Sequence, residues 1–188
     1  AIALTTGADG SIYIGGHTNG NAFISKLNTD GTKDWTRLLG SVYTFTVGWA
    51  LTTGINGSIY IAGNTSGGDL DGQTNSGGND AFISKFNVDG TKEWTRLLGT
   101  TEWDEAYALT TGTDGSIYIA GHTSGDLDGQ TNSGGSDAFI SKFNTDGTKN
   151  WTRLIGISGL DRGHALTTGA DGSIYISGHT GWSDAFIS

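Results

Sequence analysis

Carboxylates and amides crowd the same glycine-rich stretch twice, as "GDLDGQTNSGGND" over residues 68–80 and "GDLDGQTNSGGSD" over residues 125–137. Asp69, Asp71, Asn75 and Asp80, and again Asp126, Asp128, Asn132 and Asp137, offer closely spaced oxygen ligands of the kind Ca²⁺ takes in sets of six to eight. No Glu stands at the closing position of the helix-loop-helix calcium motif. The plainer reading is a turn-forming Asn/Asp/Gly/Ser loop that bonds its own backbone. The first and fourth copies of the surrounding repeat replace the stretch with "TNGNAF" and "TGWSDAF", so the fold does not require it.

Aromatic residues offer a second chemistry. Trp49, Trp103 and Trp182 lie in or beside variable segments, next to Glu102 and Asp104. A flat apolar ring with polar neighbours is the usual construction of a sugar site. Trp35, Trp94 and Trp151 instead recur at one repeat position and read as packing. His17, His122 and His179 recur in "GHT", but Asn64 interrupts the series, which favours bonding to local backbone over a metal ring. Glu102, Asp104 and Glu105 are carboxylates of the kind a glycosidase uses as an acid/base pair, but no second blade offers an obvious partner. Asp161, Arg162 and His164 have no Ser or Cys in a nucleophile setting. The chain therefore reads as non-catalytic.

The elements that position these residues come from a repeat. "ALTTG" begins at Ala3, Ala50, Ala108 and Ala165, and each copy continues with "GSIYI" and "AFIS". Three copies add "DGTK" and "WTRL". In the third copy the segments 106–111, 116–122, 138–144 and 149–155 are short, rich in β-branched and aromatic residues, and bounded by turn signals. Apolar side chains occupy both alternating faces, so each sheet needs cover front and back. Asp-Gly or Asn-Gly joins the first strand to the second and the third to the fourth, as tight antiparallel hairpins require.

Four-stranded antiparallel meanders covered on both faces pack radially as propeller blades. The expected fold is an all-β propeller with blades at about 1–40, 41–99, 100–156 and 157–188, the last lacking its outer strand. An arc of a larger propeller is favoured over a four-bladed ring closed by an incomplete blade. Unclosed edges would invite self-association. The chain opens on "AIALTTG" and stops on "DAFIS" in mid-pattern, which reads as a piece of something longer.

The order of strand, Asp-Gly turn, "IYI" strand, "DAFISKFN-DGT-W" and glycine resembles the bacterial SBBP (seven-bladed beta-propeller) repeat family along essentially the whole chain. The resemblance implies a propeller, often within a large exported or cell-surface bacterial protein, and no particular activity.

Composition narrows the partners. A net charge of −9 over 188 residues disfavours nucleic acid. No apolar run reaches the roughly 20 residues of a membrane-spanning helix. The absence of cysteine excludes disulfides and thiolate metal sites. The expectation is a scaffold or interaction module, with Ca²⁺ in the Asp-rich loops as its one candidate cofactor. A protein or carbohydrate would bind the face made by the variable blade-to-blade connections. The rival reading is a lectin that stacks sugars on its loop tryptophans.

Overall fold

Seven hairpin glycines, Gly10, Gly31, Gly57, Gly90, Gly115, Gly147 and Gly172, take positive φ between 80° and 85°. Each follows an Asp or Asn whose side chain caps the turn. Asp114 Oδ1, for example, accepts the Ser116 amide at 2.9 Å. These turns set strands side by side, and the rest of the architecture follows from them.

The computed structural model describes residues 1–181 and 184–188. The first sheet contains β1 (Ala3–Thr6), β2 (Ile12–Thr18), β3 (Asn21–Leu27) and β4 (Lys33–Leu39). The second contains β5 (Thr44–Thr53), β6 (Ile59–Gly67), β7 (Asn79–Phe86) and β8 (Lys92–Leu98). The third contains β9 (Asp104–Thr111), β10 (Ile117–Thr123), β11 (Asp137–Phe143) and β12 (Lys149–Ile155). The fourth has three strands, β13 (Asp161–Thr168), β14 (Ile174–Thr180) and β15 (Asp184–Ile187). Strands pair in sequence order, and all pairings are antiparallel. The described residues contain no helix.

Three buried clusters coincide with the three seams between sheets. Tyr13, Ile24 and Trp35 of the first sheet meet Ile59, Ile61 and Phe82 of the second. Tyr60 and Ile83 meet Ile117, Ile119 and Phe139 in the next seam. Tyr118 and Ile140 meet Ile176 in the last. Burying such side chains contributes on the order of 1.5–3 kcal/mol each.

Polar contacts fix the seams at their outer edge. Trp35 Nε1 donates to the Val88 carbonyl at 3.2 Å, and Arg37 Nε to that of Gly90 at 2.9 Å. Trp94 and Arg96 repeat this on Thr145 and Gly147 at 3.2 and 3.1 Å. The fourth strands of the first two blades thus grip the outer hairpin of the blade that follows. Packing between sheets runs from first to second, second to third and third to fourth as an open arc. Leu4 and Leu38 on the first sheet, and Tyr175 and Ile187 on the fourth, stay exposed. The four-bladed ring is therefore not the arrangement the structure adopts.

One irregularity recurs on the innermost strands. Gly48 pairs with Gly63 and Ala50 with Ala62, which leaves Trp49 as an extra residue, a β-bulge. Tyr107 is left over in the same way between Ala106 and Ala108, as is His164 between Gly163 and Ala165. The bulge pushes the preceding carbonyl toward the second strand. A Cβ on Gly63, Gly121 or Gly178 would overlap the carbonyl oxygen of Val47, Glu105 or Arg162 respectively. Glycine before the "HT" or "NT" pair is what lets the bulge form.

Gly121→Ala should therefore flatten the bulge or break the pairing. The expected loss, read by urea unfolding, is about 3 kcal/mol, the upper end of overpacking costs. A variant of unchanged midpoint would show that the backbone relaxes freely there.

Candidate functional site

The three bulge residues project into a common cluster near the inner strands. Each meets the second-strand residue of its own blade. Trp49 Nε1 donates to Asn64 Oδ1 at 2.7 Å. Tyr107 stacks on His122 with ring centroids 5.5 Å apart. His164 Nε2 and His179 Nδ1 share a hydrogen bond of 3.0 Å. The blades also join to one another. Trp49 meets Tyr107 edge-on at 6.1 Å, and Tyr107 stacks on His164 at 5.6 Å. His17 lies edge-on to Trp49 at 6.3 Å. His122, Tyr107, His164 and His179 form a continuous stack, with interplanar angles of 22–28°.

Two charges flank the stack at equivalent positions. Glu105 of β9 is occupied on both oxygens: Oε1 accepts from Asn79 Nδ2 at 2.7 Å, and Oε2 accepts from the Tyr107 hydroxyl. Arg162 of β13 has a buried Nε without a partner, and His122 has a buried, unpartnered Nδ1. Burial, and then the Arg162 cation, push the His122 imidazole down to about 4, so it is neutral at physiological pH. Burial, the neighbouring His179 and Arg162 also lower His164. Burial and the Glu105 carboxylate raise the Tyr107 phenol, which stays protonated as a donor. The cluster presents hydrogen-bonding groups and one positive charge.

The Asp-rich loops are organised otherwise. Asp71 (φ 53°) and Gly72 (φ 73°) form the centre of a tight turn closed by Leu70 and Gln73, whose amides each bond the other's carbonyl at 3.0 and 2.9 Å. Asp128 and Gly129 repeat it. Leu70 and Leu127 are buried and peg the turns into the seams. Asp71 pairs with Lys92 and accepts from Thr95 at 2.6 Å. Asp128 pairs with Lys149 and accepts from Thr152.

Asn75 Oδ1 accepts the Gly77 amide at 3.0 Å, while its Nδ2 donates to the Thr65 carbonyl at 3.0 Å. Asn132 does the same with Gly134 and Thr123, and its amide bonds Asp126 Oδ1 at 2.9 Å. Asp69 is exposed. Asp80 and Asp137 are buried and accept the Ser76 and Ser133 amides at 2.8 and 2.9 Å. Among the described residues no three His, Cys, Asp or Glu side chains come together as a metal-holding group.

The residues expected to bind a ligand separate. Trp49 belongs to the inner cluster, within β5 rather than a loop. Trp103 lies over Gly78 and is 59% exposed, with Glu102 exposed beside it. Asp104 is fully buried and accepts from the Thr100 amide at 2.6 Å and hydroxyl at 2.9 Å. Trp182 lies outside the described residues. Sequence reading missed the inner cluster as a unit. Its signal is the residue before the constant "ALTT", which changes from Ile2 to Trp49, Tyr107 and His164.

Antiparallel meanders packed seam to seam around inner strands define a β-propeller repeat protein. Residues 93–128 match the SBBP beta-propeller repeat, and residues 7–36 and 112–150 match a beta-propeller domain of unknown function, DUF5122. The regulatory protein FlaEY of Caulobacter vibrioides is 38% identical over 76 residues, covering 39% of this chain and 8% of that protein. The chain thus matches under a tenth of this curated relative's length. Virginiamycin B lyase from Staphylococcus aureus aligns over 100% of this chain and 69% of its own, at 14% identity and a TM-score of 0.45. Its catalytically inactive form with quinupristin aligns at 16% identity and a TM-score of 0.33, over 99% of this chain and 83% of its own.

Two outcomes follow from the carboxylates. Burial raises Asp80, Asp104 and Asp137 above the ordinary carboxylate range. A raised folded-state value gives stability that is full below the unfolded-state value and lost as pH rises through the folded one. The stability of Asp104→Asn relative to the parent should therefore rise as pH climbs above the ordinary carboxylate range of about 4, read by urea unfolding at each pH. A flat or falling difference would contradict the burial argument. With Asp71 and Asp128 held by lysines, the melting midpoint should not move in millimolar Ca²⁺ against chelator. An upward shift would restore the cation reading of these loops.

Proposed function

We propose that the chain is a non-catalytic β-propeller interaction module that holds a protein partner on the face made by its blade-to-blade connections. One observation carries this reading: each connection projects large apolar side chains into solvent. Val42, Tyr43 and Phe45 do so after the first blade, Trp103 after the second and Ile157 after the third. Exposed apolar groups gathered on one face, carried by loops on a rigid scaffold, mark interaction surfaces. The hairpin face exposes Ile55 and Val88, both from the second blade.

The lectin reading is less well supported. A sugar site needs polar groups converging beside the ring, and Asp104 is buried on Thr100 rather than turned to Trp103. Placement in an exported or surface protein of a bacterium is part of the proposal and rests on the family resemblance.

Peptides selected by display against the immobilised chain test the reading. Tyr43→Ala and Trp103→Ala should each weaken the selected peptides about tenfold or more, the loss typical of aromatic anchors. Peptide binding indifferent to both, or strong signals on a glycan array lost in Trp103→Ala, would overturn the protein-partner reading.

A further inference from the structure

In a chain of net charge −9, the bulge residue His164 and the other three histidines all belong to the inner cluster, and Arg162 flanks it in register with His179. Among the described residues Arg162 enters none of the ion pairs, all of which are made by lysines. The nearby carboxylate of the cluster, Glu105, is already taken on both oxygens by Asn79 and Tyr107. The Arg162 Nε is buried and unpartnered, and so is Nδ1 of His122, whose side chain is only 3% exposed. A buried guanidinium N–H left without an acceptor carries a desolvation cost that nothing offsets. An imidazole left so adds to that.

Within the same molecule the cost is not required by packing. The equivalent of Arg162 in the second blade is Val47, and that blade fills its bulge with Trp49 bonded to Asn64. The fourth blade's bulge residue, His164, and its neighbour His179 are not fully buried, so the cluster is reachable from solvent.

We propose that the inner cluster is a binding site for a small oxyanion, a carboxylate or a phosphate, held by Arg162 with His122 and the His164–His179 pair. The guanidinium supplies the charge and a fixed donor geometry suited to such groups. The imidazoles supply further donors, and the Tyr107 ring holds His122 and His164 apart at stacking distance on its two faces. Glu105 acts on Tyr107 and stays off the anion.

The test follows imidazole signals by NMR while inorganic phosphate or acetate is titrated separately, with ionic strength held constant by chloride. Either anion should shift the His122 and His164 resonances saturably. Response to one alone identifies which oxyanion the site takes, and response to neither overturns the proposal. Arg162→Gln should weaken binding about tenfold or more, the worth of one charged hydrogen bond. Exposed Lys33→Gln should leave it unchanged; equal losses in both would reduce the effect to general charge. If Arg162→Gln does not fold, Glu105→Gln tests the proposal in the opposite direction. Removing that negative charge should tighten phosphate several-fold, and unchanged or weaker binding would overturn the site.

Discussion

A sheet that is apolar on both faces cannot stand in water, and this constraint organises the molecule. Phe139 and Phe143 point toward the second blade while Tyr118 and Ile140 point toward the fourth. Each seam supplies what the other face of the next sheet needs, so one sequence unit serves as both cover and core. The outer strand makes the packing directional. Trp94 and Arg96 reach forward to the Thr145–Gly147 hairpin, while on the inner strands Thr53, Thr111 and Thr168 donate backward to the carbonyls of Thr6, Thr53 and Thr111. Even the polar loops comply, because Leu70 and Leu127 insert into the seams before the chain turns back.

The bulge links that packing to the chemistry. An inner strand in perfect register would alternate through the "ALTT" segment without a spare residue. The extra residue on each of the second, third and fourth blades turns a side chain out of the seam, and only glycine opposite leaves room for the displaced carbonyl. A backbone requirement in the second strand thereby decides which side chains meet in the first. Gly121 has no side chain to offer a ligand, yet it fixes where Tyr107 stands.

Much of the fold was legible because its signals are local. Asp-Gly and Asn-Gly announce the hairpins, and the paired apolar faces announce the sandwiching. The sites were less legible because they depend on contacts between blades. Asp71 looks like a ligand in its own loop, but Lys92 and Thr95, more than twenty residues away, engage its carboxylate. Trp49 looked like a loop aromatic because "TFTVGWA" is irregular in the repeat, whereas the irregularity is the bulge itself. The recurrence of "GHT" in sequence favours local backbone as the partner of His122 and His179. Their partners are rings, Tyr107 and His164, at a position whose variation is plain only once the repeats are laid over one another.

That variation bears on why the cluster exists. The repeats hold "ALTT", "IYI" and "AFIS" almost constant, as shared packing demands, and a propeller needs nothing more at the inner position than an aliphatic such as Ile2. Three blades instead place Trp, Tyr and His there, beside Asn64, His122 and His179, and two of them add Glu105 and Arg162. Polar groups drawn out of water lower stability unless each finds a partner. Glu105 finds two, while Arg162 and His122 keep donors or acceptors open. Uniform blades supply a rigid frame, and the differences among them fall in the blade-to-blade connections and at the inner position. Substitutions in surface loops are nearly free. Unpartnered polar groups at the inner position are costly, and that cost is what the proposed oxyanion would offset.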